Sequence, residues 1–142
     1  MATPMSAERA RAFLAEGSRS AILVTVRADG RPHAVPVWFA PDGEDLLVNI
    51  TQDSVKGRAI AASSEVALTV HDDVPPYSFV SVNGTAEIVT DPARVRSGSE
   101  TIARRYLPAE GVDQFLGYAT SPGKVLVVVH PTHTTGVDAV AG

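Results

Sequence analysis

Between Ser20 and Thr51 the chain reads SAILVTVRADGRPHAVPVWFAPDGEDLLVNIT, three apolar segments cut by Asp29-Gly30 and Pro41-Asp42-Gly43. Both cuts are strong turn signals, and segments that adjoin each other in this way form an antiparallel meander. Ile22, Val24 and Val26 share one face of its first strand. Every later element has to be accommodated around this meander.

Upstream, Ser6 or Thr3 can cap a short helix, about residues 6–16, that carries Phe13 and Leu14 and stops at Gly17. Downstream, TQDSVKGRAI reads as a second short helix. EVALTVHD then places Val66, Leu68 and Val70 at the strand period. After Pro75-Pro76 comes a long strand, YSFVSVNGTAEIVT, with Val80, Val82, Ala86 and Ile88 on one face. Tyr77, Phe79, Ser81 and Asn83 share the other. Asp91-Pro92 opens a helical region, cap residue followed by proline at the first turn, running to about Leu107, and a further helix spans Val112 to Ala119. KVLVVVHP is apolar on both faces and reads as a buried strand. Because the helices are inserted late, alternating βαβ folds are excluded. The reading is a mainly β chain of one domain, 1–142, with a closed or nearly closed antiparallel barrel over about 20–136. Its helical insertion covers about 92–119.

Composition narrows function. The 142 residues include no cysteine, which removes thiolate metal sites and thiol nucleophiles, and the formal charge of −4 argues against a nucleic-acid partner. The N-terminus lacks an apolar leader and no run approaches a membrane span, so the expectation is a cytoplasmic protein. There is no G-x-G-x-x-G, Walker loop or G-x-S-x-G elbow. His130-Pro131-Thr132-His133 is read as a strand end rather than a metal site, and no metal is expected. His33 and His71 read as surface residues, and Arg104 and Arg105 as the solvated face of a helix.

Two stretches are candidates for ligand chemistry. In TQDSVKGRAI, Asp53 or Ser54 can cap a helix whose free N–H groups and dipole favour an anion. Lys56 falls between Ala59 and Ile60 on the wheel, where its stem lies over apolar surface with its head at the helix start. Asn49 and Thr51 share a face of the preceding strand and could add hydrogen bonds. On the residues alone, a phosphate cradle and an ordinary capped helix both stand. In AVPVWF, Pro36 belongs at a strand edge or interruption, where unpaired backbone could meet a flat heterocycle. Phe39 is expected in the core. Tyr77 and Phe79 form an aromatic patch to be covered by a stacked ring or a second subunit.

In ILVTVRADGRPHAVPVWF, SVKGRAI, EVALTV, YSFVSVNGTAEI and VLVVVHPTH, taken in order, the chain resembles the pyridoxamine-phosphate-oxidase-like split β-barrels. Within them it is most similar to the flavin and deazaflavin oxidoreductases that use coenzyme F420. The resemblance implies a six-stranded antiparallel split β-barrel of the FMN-binding type with short peripheral helices. It implies a homodimer with two cofactor sites at the subunit interface. Lys56, with Ser54, Thr51 and Arg58, would hold the cofactor phosphate. Asn49 and Ile50 would flank it, and the Pro36-Val37-Trp38 backbone would line the ring. Tyr77 and residues near Tyr118 would come from the partner. The chain departs from members with Lys-x-Arg-Asn-Leu, having Lys56-Gly57-Arg58-Ala59-Ile60, and its ending THTTGVDAVAG lacks the arginine-bearing segment of a true pyridoxamine-phosphate oxidase. The implied reaction is hydride transfer from reduced F420 to a small planar or conjugated substrate, with no catalytic residue assigned. The alternatives are an FMN-binding enzyme of the same family and a non-enzymatic binder of flavin or F420.

Overall fold

A computed structural model describes residues 1–141. The strands are β1 (Thr3–Pro4), β2 (Ala21–Val26), β3 (Pro32–Val37), β4 (Ala40–Asp42), β5 (Asp45–Thr51), β6 (Glu65–His71), β7 (Phe79–Val89) and β8 (Lys124–Asp138). The helices are α1 (Ala7–Ala15), α2 (Val55–Ala62), α3 (Pro92–Tyr106) and α4 (Ala109–Ala119). Among these residues no helix is long and apolar enough to cross a membrane.

All strand pairs are antiparallel, in the order β3-β2-β6-β7-β8-β5-β4, with β1 alongside β8. The inner faces of β2, β5, β6, β7 and β8 meet in one core containing Leu23, Val48, Leu68, Val80 and Val127. The sheet therefore curls into a barrel. Its end strands, β3 and β4, each have one neighbour and do not pair with each other, which makes it a split barrel. Only Trp38 and Phe39 cross the seam between them.

The expected fold class holds, with eight strands rather than six. The additional short pieces include β1, of two residues, and β4, of three, both too short to leave an alternation. Ser6, not Thr3, caps α1 by accepting from Arg9 N–H at 3.0 Å, and Asp91 caps α3 from the residue before Pro92. On β2 it is Ala21, Leu23 and Thr25 that point into the core; Ile22, Val24 and Val26 form the outer face and remain partly or fully exposed. β7 begins at Phe79, so Tyr77 stands in the preceding turn with φ of 63°.

Two expectations are corrected here. His130 and Pro131 are not at a strand end, because β8 continues to Asp138. A register shift makes room for the proline: Asn83 pairs with His133 and Gly84 with Pro131, leaving Thr132 as the extra residue. A Cβ on Gly84 would lie 2.6 Å from the His130 carbonyl oxygen, so only glycine fits opposite this bulge. Nor is Arg105 a solvated residue. Its guanidinium lies 4.5 Å from the Phe39 ring centre and donates to the carbonyls of Arg19 at 3.1 Å and Ala15 at 3.3 Å. Arg104 is exposed and bonded to Glu100, as expected of a wet face.

α3 clamps the seam. Phe39 is fully buried, and its N–H donates to the Tyr106 hydroxyl at 3.2 Å. That hydroxyl donates onward to the Arg19 carbonyl at 2.7 Å. Val95 and Ile102 of α3 pack on Leu47, Leu126 and Val128, the outer face of β5 and β8.

His130 ties three strands together. Its Nδ1 lies 3.0 Å from Asp45 of β5 and its Nε2 2.9 Å from Glu87 of β7. The Glu87 bond first, then the Asp45 bond, raises the imidazolium above its ordinary value of 6.5, against a smaller effect of burial. A raised folded-state value gives stability that is fully present below about 6.5 and is lost as pH rises through the folded-state value. Thermal melts across that range should show the wild type losing stability with rising pH and His130→Gln much less; parallel profiles would refute this.

Candidate functional site

The site starts where β5 hands over to α2. The Ser54 hydroxyl accepts from Gly57 N–H at 3.1 Å and donates to the Thr51 carbonyl at 2.6 Å, while Ser54 N–H donates to the same carbonyl at 3.1 Å. Gly57 is required, because a Cβ there would collide with the carbonyl oxygens of Gln52 and Thr51. The first turn of α2 is thus pinned over the end of β5. Among the described residues, the N–H groups of Val55 and Lys56 donate to no backbone acceptor and stay available. Lys56 is half-buried and, among the described residues, makes no hydrogen bond or ion pair.

A second lysine arrives from the far end of the chain. Lys124, paired in register with Thr51, donates to the Thr51 hydroxyl at 2.9 Å and to the Tyr118 hydroxyl at 2.8 Å. Its ammonium lies 4.1 Å from the centre of the Tyr118 ring. The bond from Lys124 and then its charge lower the Tyr118 phenol below its usual range, with a further contribution from Lys56 and an opposing one from burial. Both lysines therefore act on the same phenol, which places Lys56, Lys124, Thr51 and Tyr118 in one cationic neighbourhood.

From Tyr118 an aromatic row runs back to the seam. Phe115 lies 6.2 Å from Tyr118 and 5.6 Å from Trp38, and Trp38 stacks on Tyr106 at 4.6 Å with planes 10° apart. Trp38 is 40% exposed and Tyr118 60%, so the row offers ring faces to solvent beside the two lysines.

The remaining predicted residues divide. Pro36 lies on the edge strand β3, where a proline was expected, and Val37 is half-buried against the core before Trp38. Ile50 buries its side chain inside the barrel. The Asn49 amide donates to Ser99 Oγ at 2.9 Å and to the Ala119 carbonyl at 3.0 Å, holding α3 and α4 on β5. Arg58 turns back to Asp53, donating to its carbonyl at 2.9 Å, and lines a different depression with the β2–β3 hairpin. Tyr118 lies in this neighbourhood within one chain, through its bond from Lys124. Tyr77 does not reach it within one chain. It precedes Phe79, which pairs with Val137, whereas Lys124 opens β8 on the order of 40 Å of strand length away.

Lys124, Phe115 and Tyr106 were not foreseen. A lone lysine before an apolar strand reads as solvated, and its meeting with Thr51 depends on the β5–β8 register. Among the described residues no group of histidine and acidic side chains could hold a metal. A cavity of about 460 Å³ beneath α1, walled by Leu14, Leu46 and His130, includes none of these site residues.

An open barrel with a cationic helix start and exposed aromatic faces at its seam defines a split-barrel protein. The chain belongs to the pyridoxamine 5'-phosphate oxidase family, whose pattern matches residues 6–138. It is 31% identical over 104 residues to the F420H(2)-dependent biliverdin reductase of Mycobacterium tuberculosis, across 73% of this chain and 74% of that protein. A solved F420 reductase is 33% identical, with a TM-score of 0.66 over 86% of this chain and 93% of its own. A conserved hypothetical protein of Mycobacterium tuberculosis shares the fold at a TM-score of 0.82 and 23% identity, covering 96% of this chain and 86% of that one.

The phenol provides a direct test of the lysine arrangement. Tyr118 should ionise earlier than the other tyrosines in an ultraviolet difference titration, and Lys124→Met should bring it back towards the ordinary range near 10. A titration curve unchanged by the substitution would show that Lys124 does not control it.

Proposed function

We propose that the chain is an F420-dependent reductase, working as a homodimer on a small planar or conjugated substrate. The observation that carries this reading is Lys56: a half-buried cation with no counter-ion, beside two open N–H groups and near a second lysine. A cation without a partner beside open helix N–H groups favours an incoming phosphate. The names and identity levels of the two F420-linked relatives support F420 over other phosphorylated ring cofactors.

In this reading Lys56 and Lys124 hold the cofactor phosphate on the first turn of α2. The Thr51 and Tyr118 hydroxyls each accept from Lys124, which leaves their own protons free to donate to phosphate oxygens. Ser54 acts through its cap, fixing the turn that presents the N–H groups. Asn49 acts through the Ala119 carbonyl, keeping α4 and hence Tyr118 in place. The Pro36-Val37-Trp38 segment lies along the ring, where the seam leaves backbone unpaired, and Trp38 and Phe115 limit access of water. The chemistry that reduced F420 would supply in this site is a hydride for the acceptor.

The homodimer accounts for two otherwise unexplained features. Ile22, Val24, Ala67 and Phe79 form a partly exposed apolar outer face on β2, β6 and β7. Tyr77 is exposed and remote from its own Lys56, so it would complete the site of the other subunit.

Titrating the purified protein with F420 and with FMN separates the cofactors. F420 fluorescence should change saturably, and Lys56→Ala should weaken its binding about tenfold or more, the cost of one charge-assisted bond. Tight FMN binding without any F420 response would move the assignment to FMN. Failure of bound reduced cofactor to be oxidised by quinones, enones or tetrapyrroles would favour a non-enzymatic binder. Sedimentation at micromolar concentration should show a dimer; a monomer would remove the shared-site arrangement.

A further inference from the structure

Among the described residues, three buried side-chain polar atoms have no hydrogen-bond partner: Thr25 Oγ1, Arg27 Nε and His33 Nδ1. All three belong to the β2–β3 hairpin. Thr25 and His33 stand opposite each other in register, and Arg27 follows Thr25 by two residues. Alternation therefore directs them to the same side of the ribbon. The hairpin is closed below them by Arg27 N–H donating to the Arg31 carbonyl at 2.9 Å. Thr25 is only 1% exposed. Buried polar groups are ordinarily paired, and an orphan costs roughly 1–3 kcal/mol of desolvation. Of the three, Arg27 also lines an open depression, where a partner could reach it.

Their chemistry describes that partner. An arginine Nε only donates, while a threonine hydroxyl and a histidine ring nitrogen can donate. The unpaired Arg27 Nε–H suits an acceptor with several lone pairs. Arg27 also opens onto a depression of about 390 Å³ between the hairpin and α2, whose walls include Arg31, Arg58 and Asp29. The two wall arginines hold only local exposed acceptors: Arg31 donates to the Asp29 carboxylate at 2.9 Å, and Arg58 to the Asp53 carbonyl at 2.9 Å and carboxylate at 3.4 Å. Such pairs contribute little and give way readily to a better acceptor. Val55 and Ala59 form the α2 wall of this depression, and Lys56 is not among its lining residues.

We infer that the hairpin–α2 depression binds a small oxyanion, a phosphate or carboxylate group, separately from the Lys56 cradle. Arg27 is its anchor, with Arg31 and Arg58 closing over the anion in forked contacts. The inference does not rest on the cofactor assignment. The oxyanion has two sources, a free ion or an acidic group on a larger ligand whose other end sits at Lys56.

The test follows the Arg27 Nε–H resonance in nitrogen-15-labelled protein during titration with inorganic phosphate and with glutarate. A saturable shift is expected in the wild type and equally in Lys56→Ala. The double variant Arg31→Gln/Arg58→Gln, altered only at exposed side chains, should bind about tenfold more weakly. With F420 as the probe, a shift that disappears in Lys56→Ala assigns the oxyanion to part of that ligand; a shift with phosphate that persists there assigns a free ion. An Arg27 resonance unmoved by either anion up to tens of millimolar would overturn the proposal, leaving ordinary water as the partner. A shift insensitive to the double variant would overturn it too. Failure of F420 to bind while Arg27 still answers phosphate would sink the cofactor reading and leave this site standing.

Discussion

The hydrogen bond from Phe39 N–H to the Tyr106 hydroxyl holds the barrel at the one place where the sheet does not. Two edge strands meet at Trp38 and Phe39 without pairing, and Phe39 is buried there with a donor that no strand satisfies. Left unpaired, that donor would cost about as much as any buried orphan. Tyr106 takes it and hands its own proton to Arg19, so the end of α3 is locked to the seam. α4 follows directly, and with it Phe115 and Tyr118. The aromatic row and its junction with Lys124 are thus consequences of how a gap in the sheet is closed.

The electrostatics invert the overall character of the chain. Its formal charge is −4, yet Lys56 and Lys124 share one neighbourhood with a phenol and a threonine hydroxyl, and neither lysine forms an ion pair. Net charge describes solubility and nonspecific partners, whereas a site is governed by the few charges within a Debye length, about 10 Å at ordinary ionic strength. Elsewhere most cations are matched: Arg9 with Asp138 and Glu16, Arg19 with Asp72, Arg94 with Asp42. Against that background an unmatched cation stands out.

The fold was legible because its cues are local. Asp29-Gly30, the strand-period runs and Asp91-Pro92 each act within a few residues, and each produced the element expected. The capped start of α2 was legible for the same reason, since the cap, the first turn and Lys56 lie within four positions. What escaped notice depended on register or on contacts across the chain. Lys124 meets Thr51 over a separation of 73 residues, and Tyr106 meets Phe39 over 67. Arg105 looked solvated because its neighbour Arg104 is; only the approach of α3 to the seam distinguishes them. Pro131 suggested a strand end because a bulge depends on Gly84 in another strand. The site residues Asn49 and Ile50 were picked for their place in sequence, and their side chains turn out to serve packing.

A barrel that never closes leaves two free edges, and free edges recruit other strands. Here both are blunted by proline. β3 carries Pro32 and Pro36, four apart and so of one parity, and the three-residue β4 carries Pro41. A proline within a paired strand leaves its missing donor on the side away from the partner. The outward side of β3 thus offers a docking strand a ladder broken at two of its three positions of that parity, and β4 is too short to offer one at all. The opening at the seam is thereby kept from becoming a template for aggregation.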